Sequence, residues 1–250
     1  MTPEARELIL AFADDELMLG HRCSEWIGVG PFLEEDLAFV SIAQDELSHA
    51  LSLYSLLTDH DPAAVDRLAF GRAPGEYRCA HLVEAACPRW EHALARHLLY
   101  DLAEALRWEA LSASSLPGLA PIARRALAEE AFHLKHATPL VQRLLAGGDD
   151  ARSRLLDALN ELAPLALGLF EPTEGEAQAV AQKVVAAPAA ELAQRWRARV
   201  EETLAAAGAS LHWPANPAGH GGRRGVRSGD FADLLAEMTK VYALDPSATW

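Results

Sequence analysis

The sequence predicts an all-α protein built around a four-helix core, and three observations carry that reading. Ala and Leu dominate while aromatic residues make up only 7%, a balance that favours helix over sheet. Apolar positions recur at the helical period in segment after segment. Gly- and Pro-rich breaks separate those segments, and no alternating apolar/polar run is long enough for a strand.

The first segment runs from about Pro3 to Trp26, with Leu8, Ala11, Phe12, Glu16, Leu19 and Cys23 along one stripe. The second spans about Leu33–Leu57, the third about Leu82–Ser114 and the fourth about Pro121–Leu145. Shorter helical stretches are expected near Ala151–Leu169, Ala189–Ala207 and Phe231–Ala243. Gly28-Val29-Gly30-Pro31 separates the first two segments, and Ser114-Ser115-Leu116-Pro117-Gly118 the next two. Gly147-Gly148-Asp149-Asp150 closes the fourth, with the aspartates placed to cap the following helix. The longer connection from His60 to about Ala80 suits a crossing between two antiparallel hairpins. Only His212–Gly229 looks irregular over a long span. One domain over 1–250 suffices, with a core bundle at about 3–146 and C-terminal helices and tail at about 150–250.

Composition narrows the partners. The 250 residues carry 22 Lys and Arg against 36 Asp and Glu, a formal charge of −14. So acidic a surface disfavours nucleic acid and anionic lipid. No apolar run approaches the roughly 20 residues of a membrane span, and the acidic N-terminus does not resemble a signal peptide. Three cysteines, Cys23, Cys79 and Cys87, match no zinc or iron–sulfur spacing and read as buried small apolar residues. A cytoplasmic location is expected.

Two Glu-x-x-His motifs stand out: Glu46-Leu-Ser-His49 and Glu130-Ala-Phe-His133. Residues three apart on a helix share a face, so each pair can reach one metal ion. With 22 Glu at a His frequency of 10 in 250, chance yields about one such motif, so the count alone carries little. Position carries more. Each motif sits on the second arm of a hairpin, and an acid stands at the mirrored place on the first arm. Glu16 and Glu46 have their midpoint at Pro31, inside the turn. Asp101 and Glu130 have theirs between Ser115 and Leu116, again in the turn. Glu104 with Glu130 centres on Pro117, so turn arithmetic leaves Asp101 and Glu104 as alternatives.

Four carboxylates and two imidazoles make up the ligand set of ferritin-like di-iron and di-manganese bundles. Hard oxygen donors with two imidazoles suit Fe or Mn. Asp45 and Glu129 precede the two motif glutamates, and each is expected to accept the outer N–H of a motif histidine across the bundle. His21, His60, His81, His92, His97, His136, His212 and His220 read as scattered surface or packing residues. Trp26, Trp90, Trp108, Trp196 and Trp213 read as packing anchors. Arg223, Arg224 and Arg227 lie in a Gly-rich stretch that follows no strand, so it is no phosphate loop; they are either solvated or meet an acidic partner or a phosphorylated ligand. No dinucleotide fingerprint, flavin motif or Cys cluster is present, so electrons for dioxygen chemistry would have to come from another protein.

On these residues the chain resembles the phenylacetyl-CoA epoxidase (ring 1,2-epoxidase) A/C subunit family. Ala13–Trp26, Leu33–Ala43, the helix around Ala95–Leu106 and the tail Gly221–Trp250 look most like the C-type subunit. Gln44–His49 and Glu129–His133 instead look like the metal motifs of the catalytic A-type subunit, as do Glu16 and Asp101, which the resemblance favours over Glu104. It implies metal ligation by Glu16, Glu46, His49, Asp101, Glu130 and His133, holding two iron ions per chain, with Mn as the alternative. It also implies oxygenation of an aromatic acyl-CoA thioester such as phenylacetyl-CoA. The implied partners are a related ferritin-like A-type subunit in a dimer or hetero-oligomer and a separate reductase as electron donor. A C-type subunit of that family is a bundle that pairs with the A type and has usually lost the ligands, so a purely stabilising role is one rival reading. A stand-alone ferritin-like di-metal oxidase is the other.

Overall fold

A helix forms where a capped start meets a sustained apolar stripe. Thr2 accepts from the backbone N–H of Ala5 and Pro3 occupies the first turn, opening α1 (Pro3–Ser24). Arg22 sits in its last turn, where the helix dipole favours a cation. The turn into α2 (Leu33–Leu57) is stapled by Asp36, whose Oδ1 accepts from the N–H groups of Gly28 and Gly30 at 3.1 and 2.8 Å. Gly28 has φ +83°, a conformation glycine adopts without strain. The same logic starts α3 (Pro62–Phe70), where Asp61 accepts from Ala63 N–H.

The structure is a computed structural model, and it describes residues 1–213 and 221–248. It is all helical, and no strand occurs among the described residues. The remaining helices are α4 (His81–Glu84), α5 (Trp90–Leu111), α6 (Leu119–Leu145), α7 (Asp149–Ala166), α8 (Glu176–Ala181), α9 (Ala189–Ala205) and α10 (Phe231–Met238). The hairpins α1/α2 and α5/α6 form the four-helix core, with α2 against α6, and α7 and α9 pack on the far side of α5. Covered on all sides, α5 leaves only Trp90, Glu91 and Glu109 outside its buried set. Between α1 and α2 the backbones approach closely at Gly20, where an added Cβ would lie 2.8 Å from Leu47 Cγ. That contact sits one residue from Glu46.

Several expectations are corrected. The third segment is broken at Ala85–Arg89, because Pro88 cannot donate to a helix and disfavours helical geometry in the residue before it. The long connection carries α3 and a short turn at Pro74–Glu76. The cap of α7 is Gly148, and Asp149 and Asp150 lie inside its first turn, favourable to the dipole but not capping. Helix α8 is an addition to the expected elements, and the last expected helix ends at Met238. Within the irregular span, residues 214–220 lie outside the described residues, as does Trp250, while Gly222–Arg224 forms a single turn.

The tail binds the bundle by charge. Arg223 is buried and donates to both carboxylate oxygens of Asp15 at 2.9 and 2.7 Å, and to the carbonyls of Ala11, Arg78 and Leu169. Arg227 pairs with Glu84 and Arg224 with Glu171. The acidic partners of the arginine stretch therefore belong to the chain itself. The three cysteines are free and buried, and four tryptophans pack edge to face, Trp26 against Trp90 and Trp196 against Trp213.

Candidate metal centre

The mirrored spacing of each hairpin brings its acid and its motif to one level. Glu16 on α1, Glu46 and His49 on α2, Asp101 on α5, and Glu130 and His133 on α6 are all buried in the bundle interior. Each offers a ligand atom to one of two groups that share Glu46. Glu46, Asp101, Glu130 and His133 form one, with Glu16, Glu46 and His49 forming the other; within each group the offered atoms lie within 4.8 Å of one another. His49 Nδ1 stands 3.1 Å from Glu16, 3.6 Å from Glu46 and 4.0 Å from Glu130. His133 Nδ1 stands 3.4 Å from Glu130 and 3.6 Å from Glu46. Both imidazoles thus turn Nδ1 inward.

Their outer nitrogens meet the residues expected from the sequence. His49 Nε2 lies 2.9 Å from Glu129 Oε2, and His133 Nε2 lies 3.2 Å from Asp45 Oδ2. Each pair crosses between α2 and α6. Such carboxylates fix the tautomer and ring orientation of an imidazole and raise its basicity. Glu129 is held by Arg125 in turn.

The donor set fits a pair of divalent cations. Both oxygens of Glu46, Asp101 and Glu130, and His133 Nδ1, are buried without a hydrogen-bond partner. Leaving one buried polar group unsatisfied costs about 1–3 kcal/mol, and more when it is charged. Several converging on one point make a site that only a cation or protons can complete. Four carboxylates balance the charge of two divalent ions. Without metal, protons do that work. Burial and the adjacent Glu46 carboxylate push Glu16 up to about 8. Burial raises Glu130 to about 8 as well, against the pull of His133. Burial opposes charge on His49, but the hydrogen-bonded Glu16 and the nearby Glu46 carboxylate outweigh that and push His49 up to about 12. Burial likewise opposes His133, yet Glu130 takes it to about 11.

Asp101 and Glu104 separate here. Glu104 is ion-paired with Arg107 on its own helix, whereas Asp101 joins the cluster. The arginine three residues on is a sequence signal for that assignment. Three neighbours lie beyond the sequence reading. Tyr100 donates to Glu16 Oε1 at 3.0 Å, Trp108 stacks edge-on to His49 with centroids 5.5 Å apart, and His97 lies buried with Nδ1 3.0 Å from Asp101 Oδ1. His97 therefore does more than pack, and its place one helical turn before Asp101 is the signal that could have found it.

A scan against protein families matches the phenylacetic acid catabolic protein family over residues 2–250. The chain belongs to that family. Among curated proteins it is similar to the C subunit of 1,2-phenylacetyl-CoA epoxidase from Escherichia coli (strain K12), 28% identical over 243 residues, covering 96% of this chain and 97% of the relative. The family matches the resemblance drawn from the motifs, and the relative is of the C type that the framework segments favour. No helix among the described residues is long and apolar enough to cross a membrane.

Proposed function

We propose that this chain is a metal-bearing subunit of a multicomponent oxygenase in phenylacetate catabolism, acting on an aromatic acyl-CoA thioester by ring epoxidation. The observation that carries the reading is the buried carboxylate–imidazole cluster, unsatisfied without a cation, in a chain whose full length matches the family. Glu16, Glu46, His49, Asp101, Glu130 and His133 would hold two iron ions, with manganese the nearest alternative. A reduced iron pair, when bound, supplies the capacity to activate dioxygen. The chain's own residues do the rest. Glu129 and Asp45 orient the two imidazoles, Tyr100 orients Glu16, and Trp108 and Phe12, with ring centroids 5.5 Å apart, close one side against water. A separate reductase supplies electrons, and a related ferritin-like subunit is the structural partner, in line with the multi-subunit relative.

The likeness to a C-type relative favours a second reading, a non-catalytic subunit that stabilises a catalytic one. The two separate in one assay. The chain, co-expressed with its ferritin-like partner and supplied with reductase, is tested for incorporation of labelled dioxygen into phenylacetyl-CoA, with and without His133→Ala in this chain. Loss of nearly all incorporation with the complex intact is expected. Full incorporation by the variant complex would place the chemistry in the partner.

A further inference from the structure

From Asp101 a line of four side chains leaves the cluster and reaches the start of α2. His97 Nδ1 lies 3.0 Å from Asp101 Oδ1, and both residues are buried. His97 Nε2 faces His136 Nδ1 at 3.5 Å, and His136 Nε2 meets Glu35 Oε2 at 2.9 Å. Phe39 packs against both rings, its centroid 5.6 Å from that of His97 and 6.4 Å from that of His136. Glu35 and Glu46 are eleven residues apart on α2, so the line spans roughly 16 Å along that helix. Three helices, α5, α6 and α2, each contribute.

We infer that His97, steadied by His136 and Glu35, is the positioning residue for Asp101 as a metal ligand; the inference rests on the dinuclear reading above. Both ends of the line are carboxylates, which accept. Each imidazole is therefore placed to donate outward, His97 from Nδ1 toward Asp101 and His136 from Nε2 to Glu35. His136, anchored by Glu35, steadies His97 by ring packing, with centroids 5.6 Å apart and the inner nitrogens at 3.5 Å. His97 Nδ1 and both Asp101 oxygens are buried without a hydrogen-bond partner, the 3.0 Å approach between them being close but not aligned for one. That approach sets His97 Nδ1 against Oδ1 and leaves Oδ2 for a cation. The same chain holds His49 and His133 from outside with carboxylates; at Asp101 the roles are exchanged, and an imidazole holds a carboxylate.

The test is an anaerobic titration of metal-free full-length chain with Co²⁺, followed by visible absorption, alongside thermal unfolding without metal. His97→Leu fills the space but cannot donate. It is expected to weaken one of two Co²⁺ equivalents about 10–100-fold, the usual cost of losing a residue that orients a ligand. The metal-free melting temperature should hold or rise, since an unsatisfied buried polar pair is reduced. His97→Gln, which keeps an N–H donor, should recover part of the affinity. His136→Leu should weaken the same equivalent by less. Unchanged affinity in His97→Leu overturns the positioning role, and should that variant fail to fold, unchanged affinity in His136→Leu does so. A wild-type chain that takes up no Co²⁺ overturns the dinuclear reading itself, a distinct result.

Discussion

Asp14, Asp15 and Glu16 are consecutive on α1, all three fully buried, and they belong to two different kinds of charged interior. Asp14 receives Arg72 and the backbone N–H of Arg78, together with the Tyr54 hydroxyl. Asp15 receives Arg107, Arg223 and the N–H of Ala80. Burial alone would raise Asp15, but the two guanidinium groups overcome it and hold its carboxyl below the usual range. One residue on, Glu16 faces other carboxylates and is pushed up to about 8. Acids matched by arginines tie the fold together. Acids left facing one another take up protons and could hold a cation.

The largest effect expected from this contrast is on stability. Arg223→Ala leaves Asp15 short of a partner in the interior and should cost about 3–5 kcal/mol. For a chain of this size that is a fall in melting temperature of order 10 °C, measurable by calorimetry on metal-free protein. His133→Ala should behave in the opposite way. Glu46 and Glu130 take up protons instead of exposing the core, so the chain stays folded while about half the bound metal is lost. Metal analysis beside circular dichroism reads both outcomes, and a variant that unfolds as readily as Arg223→Ala would erase the distinction.

Most of the bundle is legible in the amino-acid sequence. The apolar period places α1, α2 and α6 to within about two residues but starts the third segment at Leu82, where α5 begins at Trp90, and the mirrored acids and motifs locate five of the six cluster residues. What is not legible depends on distant contacts. Arg223 and Asp15 lie 208 residues apart, and no local pattern announces their meeting. His97 resembles any other apolar-face histidine, because α5 is buried on every side and its sequence does not say which face meets the cluster. Asp101 and Glu104 are alternatives by spacing, and only the Arg107 pairing separates them. The break before α5 is within reach of the sequence, since Pro88 stands inside the expected segment.

Acidity separates the two interiors further. In the metal-free protein Glu16 and Glu130 keep their protons to about 8, well above their unfolded range, and His49 and His133 stay charged beyond that. The native state therefore binds more protons than the unfolded one between about pH 5 and pH 8, and its stability falls as pH rises through that window. Metal-loaded protein should lack this slope, because the ligands are deprotonated on binding. Denaturant melts across the window test it, and parallel profiles with and without metal would count against a shared site. The smallest effects belong to the outer carboxylates. Asp45→Asn and Glu129→Gln should each weaken metal binding about 10–100-fold with little change in stability, read by competition with a chelator.

If the unmatched acids at the bundle centre form a site for two cations, a calorimetric titration of metal-free full-length chain with ferrous iron under anaerobic conditions will count them. Saturation at two ions per chain with release of protons at pH 7 is the expected result. Saturable uptake far below two, or uptake that His133→Ala leaves unchanged, would contradict it.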